Sequence, residues 1–197
     1  MIGTPGQINV TSERGIKLTQ NIENNSYKTI VEIGTWNGLG STLCILKSKK
    51  NDAKFITLEA NKNFFDIAKN NLSTYSDKIE MIQGSIIEHE ELLEYSLSLD
   101  LNKEQRTWLT EDLNNLKNKQ NVLNLIPDEI DFLLLDGGEF ASYLEWKKLE
   151  SRTKVVALDD VNVLKNNRVM NELNQNPNYK IIDKTNEGHG FIIFEKI

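Results

Sequence analysis

The stretch from Thr29 to Thr42, Thr-Ile-Val-Glu-Ile-Gly-Thr-Trp-Asn-Gly-Leu-Gly-Ser-Thr, constrains the fold of this chain more than any other. A short β-branched run, Ile30, Val31 and Ile33, enters a loop with glycines at 34, 38 and 40, and a helical pattern led by Leu39, Leu43 and Leu46 follows. Strand, glycine loop and helix in succession cradle a nucleotide-like cofactor. The glycines let backbone approach a ligand without Cβ clashes and adopt positive φ where the turn needs it. Glu32, two residues before the first glycine, suits a cationic or hydroxyl-bearing cofactor better than a pyrophosphate.

The rest of the chain alternates strand and helix, which predicts a mostly parallel sheet covered on both faces. A lead-in helix is expected over 11–24 and the first strand over 29–33, with its helix over 39–50. A second strand follows at 54–59, then a helix at 61–73 with Phe65, Ala68 and Leu72 on one face. Further strands are expected at 79–83, 130–135 and 154–158, and a helix at 164–175. The segments 179–183 and 190–195 flank a polar turn and read as a terminal antiparallel hairpin. The expected fold is thus a Rossmann-like, doubly wound, seven-stranded sheet.

Length bounds this to a single domain over 1–197. Between the third and fourth strands, residues 86–129 are too long for a simple crossover and carry helix patterns at 86–99 and about 103–123. Asn102 with Gln105 resembles a capping box for the second. This helical insertion reads either as a packed crossover or as a lid or homodimer surface beside the site.

A net charge of −6 argues against a nucleic-acid partner, since neutralising phosphates needs a basic face. The one dense basic cluster, Lys47, Lys49 and Lys50, falls at a helix end, where cations complement the dipole. No apolar run reaches the roughly 20 residues of a membrane span. The first residues show neither the basic region nor the apolar core of a signal peptide. With a single cysteine, Cys44, on the apolar side of its helix, the expected location is the cytoplasm.

In an open α/β sheet, ligands bind beyond the carboxyl ends of the strands. Glu59 ends the second strand at the position of an acid that accepts hydrogen bonds from ribose hydroxyls, with Ala60 beside it. Ser85 follows the third strand, where an adenine would be read. Asp136 ends the fourth strand, and Asp159 and Asp160 end the fifth. If those strands are neighbours, about 4.8 Å apart, three carboxylates converge. They then need a compensating cation or shifted pKa values. Either a hard divalent ion such as Mg²⁺ sits among them, or each merely caps a turn or helix.

The pattern Glu32-Ile-Gly34-x-x-x-Gly38-x-Gly40-Ser-Thr42, with Glu59 and the terminal hairpin, resembles the class I S-adenosylmethionine-dependent methyltransferases. The resemblance implies adenosyl-cofactor binding by Glu32, Gly34, Thr35, Gly38, Gly40, Ser41, Thr42, Glu59 and Ser85, with Ala60 and Asp136 alongside. That family often carries an aspartate where Ser85 stands. Trp36 packs either on the cofactor or on the lead-in helix. Asp136-Gly-Gly-Glu139 and Leu158-Asp-Asp-Val161 resemble the metal-dependent small-molecule O-methyltransferases acting on sugars, macrolide glycosides and catechols. That resemblance implies a metal held by Asp136, Asp159 and Asp160, a small hydroxyl-bearing acceptor, and catalytic roles for Asp136 and for Glu139 as base. A carboxylate is a weak base for an alcohol unless a metal lowers the hydroxyl pKa.

Two other readings compete. Gly34, Gly38 and Gly40 also fit a short-chain dehydrogenase loop, and Tyr143-x-x-x-Lys147 mimics its catalytic pair, although Tyr143 follows the fourth strand rather than the fifth. The methyltransferase fold can also serve as a non-catalytic scaffold. His89, His189, Trp108 and Trp146 read as solvated or packing residues.

Overall fold

The computed structural model of the protein describes residues 3, 4, 6–117 and 119–197. Helix α1 (Glu13–Asn24) precedes strand β1 (Thr29–Ile33), α2 (Ser41–Ser48), β2 (Lys54–Glu59), α3 (Lys62–Asn71) and β3 (Glu80–Gln83). Two helices, α4 (His89–Ser96) and α5 (Lys103–Leu116), lead to β4 (Ile130–Leu135). Then come α6 (Ser142–Leu149), β5 (Thr153–Asp159), α7 (Leu164–Gln175) and the hairpin β6 (Tyr179–Thr185) and β7 (Phe191–Lys196). One seven-stranded sheet results, ordered β3-β2-β1-β4-β5-β7-β6, parallel except for the antiparallel β7 pairings.

Register brings the functional edge together. Ile33 lies opposite Leu58 and Leu135, and Leu135 opposite Leu158. The residues that follow, or end, these strands therefore fall along one rim: Gly34, Glu59, Asp136 and Asp159. Between β1 and β4 the strand order reverses, the point where doubly wound sheets bind ligands.

Alternating strand residues face opposite sides. On one face Val31, Ile33, Leu58, Leu133, Leu135 and Leu158 pack with Leu92, Leu116, Trp146 and Val169 of α4–α7. On the other, Ile30, Phe55, Phe132 and Leu134 pack with Leu18 and Ile22 of α1 and with Cys44 and Ile45 of α2. Among the described residues no helix is long and apolar enough to cross a membrane.

Several boundaries differ from the periodicity, each for a local reason. Helix α1 starts at Glu13 because the Ser12 hydroxyl caps it, accepting from Gly15 N. Helix α2 starts only at Ser41, since Gly38 holds φ +77° and cannot continue a helix. Helix α4 is shorter than 86–99 because Ile87 N is drawn to Ser85 Oγ at 3.1 Å. The α5 capping box forms as expected, but the helix ends at Leu116 rather than near 123. Beyond it, Asn121 bridges to Ser85 and Val122 N donates to Ser85 O at 2.9 Å. The sequence pattern delimits no helix between β4 and β5; the structure forms α6 there.

Candidate active site

At the β1–β4 switch point a cavity of about 500 Å³ opens above the strand ends. Its first wall is the glycine loop. Gly34 has φ +104°, and a Cβ there would collide with the Asp136 carbonyl oxygen, so only glycine lets the loop pass the end of β4. Gly34 N and Thr35 N both donate to Leu58 O, at 3.0 and 3.1 Å, and tie the loop to β2. Gly34, Thr35, Trp36, Gly40 and Ser41 face the cavity. Trp36 packs against Phe64 of α3, ring centroids 6.0 Å apart, rather than on α1.

Glu32, Gly38 and Thr42 do not reach the cavity wall and lie behind it. Glu32 is fully buried, and its carboxylate is saturated. Ser41 Oγ donates to Oε1 at 2.6 Å, and Thr42 Oγ1 and Thr57 Oγ1 donate to Oε2 at 2.7 Å each. Because the Thr57 hydroxyl spends its hydrogen on Glu32, Thr35 is the donor in the 2.6 Å Thr35–Thr57 bond. Burial outweighs the three hydroxyls and pushes the Glu32 pKa up to about 7. Glu32 thus fastens the loop onto β2 and α2 from behind the cavity. Gly38 is placed so that a Cβ would meet Leu72 Cδ1 at 2.7 Å.

The second wall holds Glu59, Ala60, Asn61, Gly84, Ser85 and Ile86. Glu59 accepts one backbone N–H at each oxygen, from Trp36 at 2.7 Å and from Asn61 at 2.8 Å. Each oxygen keeps lone-pair capacity for a further donor. Burial pushes its pKa up to about 7. Helix α5 reaches over this wall: Asp112, Asn115 and Leu116 line the cavity, and Asn61 Nδ2 donates to Asn115 Oδ1 at 2.9 Å.

The third wall is acidic. Asp136, Asp159 and Asp160 each bring a carboxylate oxygen within 4.8 Å of the others, so the expected convergence is present. Two cations already stand among them. Lys165, at the start of α7, donates to Asp136 Oδ1 at 2.6 Å and to Asp160 Oδ2 at 3.4 Å. Arg14 of α1 donates from Nη1 to Asp159 Oδ1 at 2.7 Å and to Asp160 Oδ1 at 3.2 Å, and from Nη2 to Gln7 Oε1 at 2.8 Å. Burial pulls the Lys165 pKa down, but the three aspartates outweigh it and hold the ammonium above its usual value. Burial also pushes Asp159 up to about 7. Asp160 adopts φ 57°, a strained conformation for a residue with a Cβ and one met at functional sites. Asn166 Nδ2 fixes the two strand ends, donating to Asp159 O at 2.6 Å and Leu135 O at 3.0 Å.

As a donor set, three carboxylates suit Mg²⁺. As folded, they do not fit it: the Lys165 ammonium lies between Asp136 and Asp160, and Arg14 covers Asp159. A divalent ion at that point would face a like charge.

Two further acids escaped sequence reasoning. Glu145 of α6 is buried against the cavity, and its Oε2 has no hydrogen-bond partner among the described residues. Burial pushes its pKa up to about 8. Asp112 accepts from Phe140 N at 3.3 Å, and burial pushes it up to about 6. Gly138 makes its approach possible, since a Cβ there would lie 2.8 Å from Asp112 Oδ2. Both acids sit on largely apolar helix faces: Glu145 between Ala141 and Leu149, Asp112 among Leu109, Leu113 and Leu116. An acid on such a stripe is the signal that marks them. Arg14 and Lys165 leave no comparable mark.

Other expected residues fall outside the cavity. Glu139 is half-buried and off the cavity wall, within the electrostatic reach of Lys165, Asp160 and Asp112. Tyr143 and Lys147 both bind Glu172, at 3.2 and 2.8 Å, and do not form a dehydrogenase site. Trp146 is core, and His189 is exposed in the β6–β7 turn.

No protein-family model and no curated protein sequence matches the chain. Solved structures share its fold. An O-methyltransferase from Bacillus cereus in complex with S-adenosylhomocysteine superposes with a TM-score of 0.64 at 19% identity, covering 98% of this chain and 84% of that one. An O-methyltransferase from Streptomyces achromogenes involved in tomaymycin synthesis, in complex with S-adenosylmethionine, gives 0.64 at 16% identity, with 96% and 82% covered. A methyltransferase from Geobacter sulfurreducens gives 0.65 at 10% identity, with 95% and 80% covered. The fold of this chain is the α/β fold of these methyltransferases.

Proposed function

We propose that this protein is an S-adenosylmethionine-dependent methyltransferase that moves a methyl group to a hydroxyl of a small polar acceptor, such as a sugar. The carrying observation is the two-ended cavity at the β1–β4 switch point. One end offers a glycine-loop backbone and Glu59; the other offers Asp136, Asp159, Asp160 and Lys165. The cofactor fits the first end by the chemistry of its donors. The glycine-loop residues Gly34, Thr35 and Gly40 line that end, and Glu59 keeps acceptor capacity for two ribose hydroxyls. Ala60 and Ser85 line the same wall, toward an adenine. The structures from Bacillus cereus and Streptomyces achromogenes that share the fold hold the same class of cofactor.

Bound S-adenosylmethionine supplies a methyl group already activated on a sulfonium, and its transfer to oxygen releases one proton. The residues of the chain do the rest. In this reading Asp136, one of the carboxylates lining the cavity, takes that proton. The polar rim of Asp136, Asp160 and Lys165 orients a hydroxyl-bearing acceptor, and holding two reactants in line supplies much of the acceleration. Helix α5 contributes Asp112, Asn115 and Leu116 to the cavity lining.

Calorimetric titration with S-adenosylhomocysteine tests the reading. One-to-one binding is expected. Absence of binding overturns it and favours the non-catalytic scaffold.

A further inference from the structure

We infer that Lys165 is a resident cation that takes the electrostatic place of a divalent metal at the acceptor end of the cavity. The inference rests on the methyl-transfer reading for its purpose, but not for its geometry. Three carboxylates lie within 4.8 Å of one another on the cavity wall. Such a cluster needs positive charge at its centre to stay folded and ionised. Lys165 provides it from within the chain. Its side chain is 8% exposed, and its ammonium spans Asp136 at 2.6 Å and Asp160 at 3.4 Å. Arg14, 4% exposed, holds Asp159 from the other side.

Placement separates Lys165 from an ordinary buried ion pair. Arg14 is not on the cavity wall, whereas Lys165 is. An ammonium has three N–H donors. Two have aspartate partners, which leaves one for an acceptor oxygen brought beside Asp136. A fixed cation there stabilises negative charge as it develops on that oxygen, the service a metal renders elsewhere. The fold makes this durable: Lys165 opens α7, and its neighbour Asn166 is locked to the ends of β4 and β5.

The consequence is binding selectivity that can be read without any acceptor. Titration of the protein with Mn²⁺, followed by the electron paramagnetic resonance of the free ion, is expected to leave Mn²⁺ free at millimolar concentration. Lys165→Gln removes the competing charge and is expected to tighten Mn²⁺ binding by roughly tenfold or more. Adding Asp159→Asn to Lys165→Gln is expected to abolish the gain. Wild-type protein that binds Mn²⁺ stoichiometrically, and loses it on Asp159→Asn, overturns the inference. So does a folded Lys165→Gln protein with no gain. If Lys165→Gln does not fold, the wild-type titration decides alone. Calorimetry with S-adenosylhomocysteine in chelator separates the two readings: failure to bind there counts against the methyltransferase, not against Lys165.

Discussion

Two ends of one cavity solve the same problem differently. Both bury carboxylates at or beside the cavity, and in both burial raises the pKa. At the β1 end, Glu32 is satisfied by neutral hydroxyls and Glu59 by backbone N–H groups, all supplied by residues of β1–α2 and β2 and the turns after them. At the β4–β5 end, the aspartates are satisfied by full charges from α1 and α7, and Glu145 keeps an oxygen with no partner among the described residues. Neutral donors fix a shape without placing net charge in it. Ion pairs and an orphan acid leave a field directed into the cavity. The first arrangement suits holding a cofactor, the second acting on a polar acceptor.

Breaking the first end gives the largest expected effect. Glu32→Ala leaves the hydroxyls of Ser41, Thr42 and Thr57 without their common acceptor and opens a void. Losing several buried hydrogen bonds at once is expected to cost about 3 kcal/mol. Urea unfolding checks it, with a lower midpoint at unchanged slope. Glu32→Gln, which keeps a carbonyl acceptor, is expected to recover part of the loss. A change within about 0.5 kcal/mol for Glu32→Ala, the range of an ordinary surface substitution, would erase the structural role of Glu32.

The contrast also explains what was legible in the sequence. Glu32, Gly34 and Ser41 lie within a dozen residues, so their strand-loop-helix order was visible as a local pattern. The sheet followed from alternation, and its terminal hairpin from two apolar runs around a polar turn. Asp136, Asp159 and Asp160 were legible because each stands at or just past a strand end, and parallel register sets those ends side by side. What the residues then touch was not legible. Ser41 and Thr42 face inward to Glu32, which follows from the turn of the helix after Gly40 rather than from the motif. Arg14 stands in the first turn of a polar helix, and no periodicity says which distant acid it meets; Lys165 lies only five residues past Asp160, but no pattern says that its ammonium turns back toward it. Arg14 lies 145 residues from Asp159. The cation for the acid cluster was therefore sought outside the chain.

The second end is sharpened by pH. Burial raises Glu145 from 4.5 to about 8, so the folded state prefers it neutral. Stability from this group is complete below its unfolded pKa and is lost as pH rises through the folded one. Between about pH 5 and pH 8 it is expected to subtract about 2 kcal/mol from the unliganded protein, given about 1.4 kcal/mol per pH unit and a discount for relaxation. Glu32, Glu59 and Asp159, raised to about 7, act in the same direction. Thermal melts across that window should show wild-type stability falling with pH. Glu145→Gln, which needs no charge in the same space, should flatten the upper part of the fall. An identical slope in both proteins would place the titrating charge elsewhere.

The smallest expected effect tests whether the first end holds the cofactor at all. Glu59 has two duties in one carboxylate: each oxygen accepts a backbone N–H of the loop region, and each has capacity left for a ribose hydroxyl. Glu59→Gln keeps one acceptor oxygen and turns the other into a donor. One of Trp36 N and Asn61 N then loses its partner, and one ribose hydroxyl meets a donor instead of an acceptor. Loss of a single such bond is worth about 1.4 kcal/mol, or tenfold in Kd. Calorimetry with S-adenosylhomocysteine should therefore show Kd rising about tenfold, with most of the change in enthalpy, because the lost contact is polar. Glu145→Gln, measured beside it, removes an ionisable group from the cavity lining and touches neither Glu59 hydrogen bond. If both variants move the affinity equally, the cavity is one undivided acidic site. If only Glu59→Gln does, its two ends serve two ligands.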